Sequence, residues 1–253
     1  MDLKELAKRG RLPYYIESDG RPVGETPCHV RNVCYLLEPL DVWFAADPMV
    51  FVAGALVLHY EKGRRDRYMS PDVFVVRGVP KETKRRNYLV WEEGRAPEMV
   101  IELTSELTRD EDQIDKRRIY QDILRVQEYF LFDPLRDYLV PPLQGLRLAS
   151  GGYRPIRRVK GRLPSKVLGL HLEADGDLLR LYDPATKRRL LIPPEVRAAC
   201  LKAQEAVKDI KADIKRLRRE REELRRESQQ LQRQREDLCR EGDELRRRLP
   251  PTS

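Results

Sequence analysis

Two regimes of hydrophobic patterning meet near Ile192-Pro193-Pro194. Upstream, apolar residues come in short runs broken by Pro, Gly and charged turns. Residues 49–60 (MVFVAGALVLHY) read as a buried strand with a break at Gly54-Ala55, and residues 71–77 (PDVFVVR) as a short β-branched strand. Residues 98–104 (EMVIELT) and 128–133 (EYFLFD) read as two more strands. Residues 29–40 (HVRNVCYLLEPL) form a short helix-like stretch, 110–126 an amphipathic helix, and 80–97 a polar loop. Turns at Pro141-Pro142, Gly151-Gly152 and Asp175-Gly176 separate further short strands. This order predicts an α/β core over residues 1–192, followed by β-rich additions.

Downstream the pattern changes period. After Pro194 there is no Trp, Tyr or Phe, and no Pro until Pro250. Leu217, Leu224, Leu231, Leu238 and Leu245 stand seven apart, and the same register runs back through Ile210, Ala203 and Val196. The second seam position reads Cys200, Val207, Ile214, then Arg221, Ser228, Arg235 and Gly242. Residues 195–248 are therefore expected to form a long coiled-coil helix, with 249–253 a disordered tail. A homodimer through Ile210, Ile214, Leu217, Leu224, Leu231, Leu238 and Leu245 is the expected use of the seam. Glu220 faces Arg225, and Glu241 faces Arg246, across a parallel pair. The plainer alternative is a single solvated helix held by Arg–Glu pairs one turn apart. A basic-zipper reading of KRLRRERE at 215–222 is disfavoured, because glutamates interleave with the arginines inside the heptads.

Composition narrows the class. Of 253 residues, 36% are charged, and 50 basic against 42 acidic side chains leave a net charge of +8. That balance raises the odds of a polyanion partner without concentrating charge in a tail. No run of 18 apolar residues is present, so no membrane span is expected. The start MDLKELAKRG has no apolar segment of a secretory signal. Four scattered cysteines (Cys28, Cys34, Cys200, Cys239) argue against a disulfide scaffold or a zinc ribbon and for a cytoplasmic setting. No phosphate-cradling Gly-rich loop or serine nucleophile elbow is visible.

The informative residues are carboxylates inside strands. Asp72 follows Pro71 at the mouth of one, and Glu102 interrupts Met99-Val100-Ile101-Glu102-Leu103. A buried carboxylate is costly unless paired or bound to a metal. Two on neighbouring strands repel each other, and Mg²⁺, held by one or two carboxylates plus waters, removes that repulsion. Alternation places Glu98, Val100, Glu102 and Thr104 on one face. At 100° per residue, Lys116 shares a side of its helix with Ile119, Tyr120, Ile123 and Leu124, and Gln127 falls on the same stripe. A lysine centred on an apolar stripe points toward the sheet, as a cation aimed at the carboxylates or as a snorkelling surface residue. A strand-edge Asp72 and a salt-bridged Glu102 remain the alternative to a metal pair.

Pro71-Asp72 and, thirty residues on, Glu102-Leu103-Thr104 resemble the PD-(D/E)XK nuclease pattern. The segments SPDVFVVRG, VWEEGRAPE, IELTS, KRRIY, EYFLFDP and PPLQGLRL resemble more closely the Uma-two family of putative restriction endonucleases, over roughly residues 12–190. The resemblance implies a restriction-endonuclease-like core, a mixed sheet flanked by helices, with Mg²⁺ (or Mn²⁺) on Asp72 and Glu102, acting on DNA. Glu25 matches the family's N-terminal acidic position and His29 its commonly present histidine. Glu98 stands where the family usually has Asp. Thr104 replaces the lysine that normally follows the glutamate by two, and Lys116 sits where a migrated lysine would be. Asp72, Glu102 and Lys116 are thus expected to be catalytic, with Glu25, His29, Glu98, Thr104 and Gln127 supporting them. Arg64, Arg65, Arg67, Lys84, Arg85 and Arg86 lie in loops that would follow the DNA backbone. The rival reading is an inactive nuclease fold that serves as a DNA-binding or scaffold protein through its coiled coil.

Overall fold

The structure, a computed structural model, describes residues 26–106 and 108–248, with side chains as far as 244. Glu25, the Leu245 side chain and the segment 249–253 lie outside what is described. The chain divides at Pro193–Pro194 into two compact units.

The first unit opens with helix α1 (Pro27–Trp43). The Thr26 side chain caps it by accepting from the His29 amide at 3.2 Å, and Pro27 fills the first turn, where a missing N–H costs nothing. A six-stranded sheet follows the order β1 (Val50–Ala53), β4 (Val73–Arg77), β6 (Met99–Leu103), β7 (Glu128–Phe132), β8 (Leu143–Ala149), β9 (Gly152–Pro155). Only β6 and β7 run parallel. A parallel pair needs a crossover, and here helix α3 (109–123) lies in it. A second sheet holds β10 (Leu163–Pro164), β11 (His171–Asp175), β12 (Leu178–Asp183) and β13 (Arg188–Arg189). A third, small one holds β3 (Tyr68–Met69), β2 (Leu58–His59) and β5 (Tyr88–Leu89).

The pleat decides which layer each residue joins. Val73, Val75, Met99, Ile101, Phe130 and Phe132 pack with Leu36 and Leu40 of α1 and with Leu172 and Leu181 of the second sheet. Phe74, Val76, Val100, Tyr129 and Leu131 pack with Tyr120 and Leu124 of α3 and with Leu58 and Tyr88 of the small sheet. Asp72, Glu102 and Thr104 share the parity of this second set, so they belong to the α3 side. Because β6 and β7 are covered on both faces, they read as nearly unbroken apolar runs. Buried Glu128 anchors the segment leading into the second sheet: it accepts from Arg147 at 2.9 Å, from the Lys166 amide at 2.9 Å and from the Ser165 hydroxyl.

Two expectations need correction. The run 49–60 is two strands in two sheets, since the chain leaves β1 at Gly54 and joins the small sheet at Leu58. A Cβ on Gly54 would lie 2.3 Å from the Asp72 carbonyl oxygen, so the chain passes this point only without a side chain. The polar loop 80–97 contains β5 and a short helix α2 (Val90–Glu93). Two paired residues and a single turn are too short to impose a periodicity.

The second unit is helix α4 (Pro193–Arg248). Its apolar seam residues from Val207 to Leu238 are 44–66% exposed. Among the described residues no helix is long and apolar enough to cross a membrane.

Candidate active site

Antiparallel pairing of β4 with β6 sets Val73 opposite Ile101. Continued by one residue, the register brings Asp72 opposite Glu102, at the end of the strand pair. The contacts are direct. The Asp72 amide donates to Glu102 Oε2 at 3.4 Å, and Asp72 Oδ2 accepts from the Leu103 amide at 2.7 Å. Asp72 Oδ1 lies 3.0 Å from His29 Nε2, which the first turn of α1 delivers.

α3 supplies the other side. Lys116 Nζ lies 3.1 Å from Glu102 Oε2 and 2.9 Å from Asp112 Oδ1. The Tyr120 hydroxyl donates to Glu102 Oε1 at 2.6 Å. Glu102 and Asp112 are buried, whereas His29, Asp72 and Lys116 keep 15–18% of their side-chain surface, so the cluster opens to solvent along those three. The Tyr129 hydroxyl donates to the Asp112 carbonyl at 2.9 Å and pins the start of α3 to β7.

The electrostatics follow from three carboxyl groups around one ammonium. Burial pushes the Glu102 carboxyl up to about 8; Asp72 and Asp112 push the same way, and Lys116 only partly opposes them. Burial works to lower Lys116, but Glu102, Asp112 and Asp72 outweigh it, and the ammonium is held above its usual range. Burial and the nearby Glu102 also raise the Tyr120 phenol, which therefore stays a donor.

The helix differs from the expected one. Over Glu111–Lys116 and Ile119–Ile123 its hydrogen bonds follow the wider i→i+5 pattern. Looser winding aligns residues four apart, so Asp112, Lys116, Tyr120 and Leu124 form the inward row while Ile123 is 51% exposed. Gln127 is not on the helix. It is an exposed turn residue whose amide donates to the Glu98 carbonyl and whose carbonyl accepts from the Leu148 amide. Glu98 is half-buried just before β6, where its backbone joins β4 to β7. Thr104 is buried on the Glu102 face, with its hydroxyl hydrogen-bonded to that of Tyr138, and Arg109 stacks over the Tyr138 ring at 5.5 Å. Neither the Asp112 carboxylate nor the Tyr120 hydroxyl was singled out by sequence reasoning. The signal was available as polar groups at i, i+4 and i+8 on one side of a helix.

The loop arginines separate into two groups. Arg85 is an internal residue. Its guanidinium makes two bonds to Glu93, at 2.7 and 2.8 Å, and lies 4.3 Å over the Phe51 ring, so it cannot track a ligand's backbone. Arg64, Arg65, Lys84 and Arg86 are exposed. Arg64 pairs with Asp66 at 3.0 Å, and half-buried Arg67 lies 3.8 Å from Glu61 and from Asp66.

The donor set suits a hard divalent cation. Among the described residues no group of three or more His, Cys, Asp or Glu is arranged to hold a metal, but Mg²⁺ requires only one or two carboxylates and keeps its waters. Asp72 and Glu102 could provide those oxygens, since each has lone pairs beyond its present partners. Burial first, and then the Asp72 and Asp112 charges, raise Glu102, and a bound cation would offset both.

The mixed sheet of the first unit thus carries two carboxylates at the ends of adjacent strands, with a lysine from the crossover helix beside them. The model of the Uma2 family, described as "putative restriction endonuclease", matches residues 3–174, and the chain belongs to that family. A crystal structure of a putative nuclease belonging to DUF820, from Anabaena variabilis, aligns with 14% identity and a TM-score of 0.42, covering 68% of this chain and 94% of that one. Among curated proteins no relative matches.

Proposed function

We propose that this protein is a metal-dependent nuclease that hydrolyses phosphodiester bonds in DNA, with Asp72 and Glu102 as metal ligands and Lys116 as the catalytic cation. The observation that carries the reading is that the Lys116 ammonium and the Asp72 backbone amide both reach the buried Glu102 carboxylate, while the Asp72 carboxylate accepts from the adjoining Leu103 amide. Family membership supports it independently.

Asp72 and Glu102 would hold Mg²⁺ or Mn²⁺, which would polarise the scissile phosphate and acidify a bound water. The protein's own groups prepare that site. His29 and the Leu103 amide fix the Asp72 carboxylate, while Tyr120 fixes Glu102 from behind. Lys116, held by Glu102 and Asp112 but still partly open, supplies positive charge for the developing phosphorane. Thr104 brings no charge, and its hydroxyl is committed to Tyr138, so Lys116 carries the role alone. Arg64, Arg65, Arg67, Lys84 and Arg86 are the candidates for backbone phosphate contacts, which position DNA without reading it. Two copies associate through the leucine seam of α4.

The test is cleavage of supercoiled plasmid by the full chain with Mg²⁺ or Mn²⁺, beside Asp72→Ala, Glu102→Ala and Lys116→Ala. Each substitution is expected to lower the rate by roughly 10²-fold or more. Cleavage that survives Lys116→Ala would remove the lysine's role. No cleavage by folded wild type would favour an inactive nuclease fold that binds DNA.

A further inference from the structure

α4 carries a stripe of exposed apolar residues along its described length, from Val196 to Leu238. The flanks of that stripe are sorted by sign. On one side stand Asp213, Glu220 and Glu227; on the other stand Lys211, Arg218 and Arg225. Flanking charges of this kind decide chain orientation. In a parallel pair, one flank of each helix meets the opposite flank of the other, so Asp213 faces Arg218 and Glu220 faces Arg225. In an antiparallel pair like flanks meet, and Glu220 confronts Glu227 while Arg218 confronts Arg225. Within one chain Arg216 lies 3.0 Å from Asp213 and 3.8 Å from Glu220, and such exposed pairs stabilise little.

From this we infer that α4 docks a second copy of itself in parallel and in register, so that both chains enter the rod at the same end. The inference rests on the pairing of two copies proposed above and carries the parallel direction expected from Glu220 and Arg225 to an exclusive, in-register arrangement. Arg221 and Arg235 at the seam are compatible with it, since a long stem packs along apolar surface while the guanidinium reaches water. In this arrangement Cys200, a seam residue, meets Cys200 of the second copy across the axis. Antiparallel registers bring Cys200 toward position 238 or 245, next to Cys239 in one case.

The native cysteines therefore report orientation. The full chain is sized by light scattering, then oxidised with diamide, which takes two electrons and two protons from a thiol pair as the disulfide forms. Linked peptides are identified by mass spectrometry. The expected result is about twice the 29.8 kDa chain mass and a Cys200–Cys200 link that Cys200→Ser abolishes. Leu217→Asp with Leu224→Asp should halve the mass. A chain-sized mass for the wild type would overturn the pairing itself. A two-chain mass with a Cys200–Cys239 link, or with no link at Cys200, would leave the pairing standing and overturn the parallel register.

Discussion

At the scale of single residues, Glu102 is the pivot, because its charge is disfavoured where it stands. Its carboxyl is raised from the ordinary range to about 8 by burial and by Asp72 and Asp112. A raised acid stabilises the fold fully below its unfolded pKa and loses that contribution as pH rises through the folded value. The metal-free protein should therefore lose thermal stability between about pH 4.5 and pH 8, and Glu102→Gln should flatten that fall in a pH series of melting temperatures. Metal binding has the opposite slope, since a proton competes for the same oxygens, and Mn²⁺ affinity by calorimetry should rise over this range. Tyr120→Phe removes the donor to Glu102 Oε1 at 2.6 Å and leaves a buried acceptor unpaired. It should cost about 1–3 kcal/mol in urea unfolding. Asp72 and Glu102 were legible in the sequence because carboxylates are conspicuous in β-branched strands. Asp112 and Tyr120 were not, because a charged residue at a helix start and an aromatic on an apolar stripe both have ordinary explanations.

At the scale of elements, the strands that read clearly are those buried on both faces. The 128–133 and 98–104 runs emerged as β7 and β6 with ends shifted by about a residue. What failed was whatever a fixed period hides. The small sheet is built from pairs of residues, and α3 winds more loosely than an α-helix. That winding gives a sharp contrast between neighbours. Leu124→Ala, in the buried row, should cost about 2–5 kcal/mol in chemical denaturation. Ile123→Ala, one residue earlier and half exposed, should stay within about 1 kcal/mol. An α-helix at 100° per residue would put both on one stripe and make the two costs similar.

At the scale of the whole molecule, the net charge of +8 gives long-range attraction to a polyanion but no address. The exposed loop cations Arg64, Arg65, Lys84 and Arg86 are the proposed local contacts. Anisotropy titrations of labelled duplex, with Asp72→Ala to prevent cutting, should show log affinity falling linearly with log salt. Replacing Arg64, Arg65, Lys84 and Arg86 together by alanine should reduce that slope by about 3–4 if each meets a phosphate. Replacing Arg85 should instead cost stability, since its partners are Glu93 and Phe51. The heptads of α4 were the plainest feature of the sequence, because a long helix without aromatics, and without proline beyond its first two residues, leaves little else for its leucines to do.

Gly54 makes a different kind of demand on the chain. It contributes no charge, no ligand and no apolar surface, yet the missing Cβ is the room in which the Asp72 carbonyl sits, with a Leu37 methyl at 3.0 Å behind. Gly54→Ala should shift the strand mouth that carries Asp72 and silence cleavage while every titratable group of the site is intact. A random screen for inactive variants would then return this glycine beside the acids, and a search confined to chemically reactive residues would overlook it.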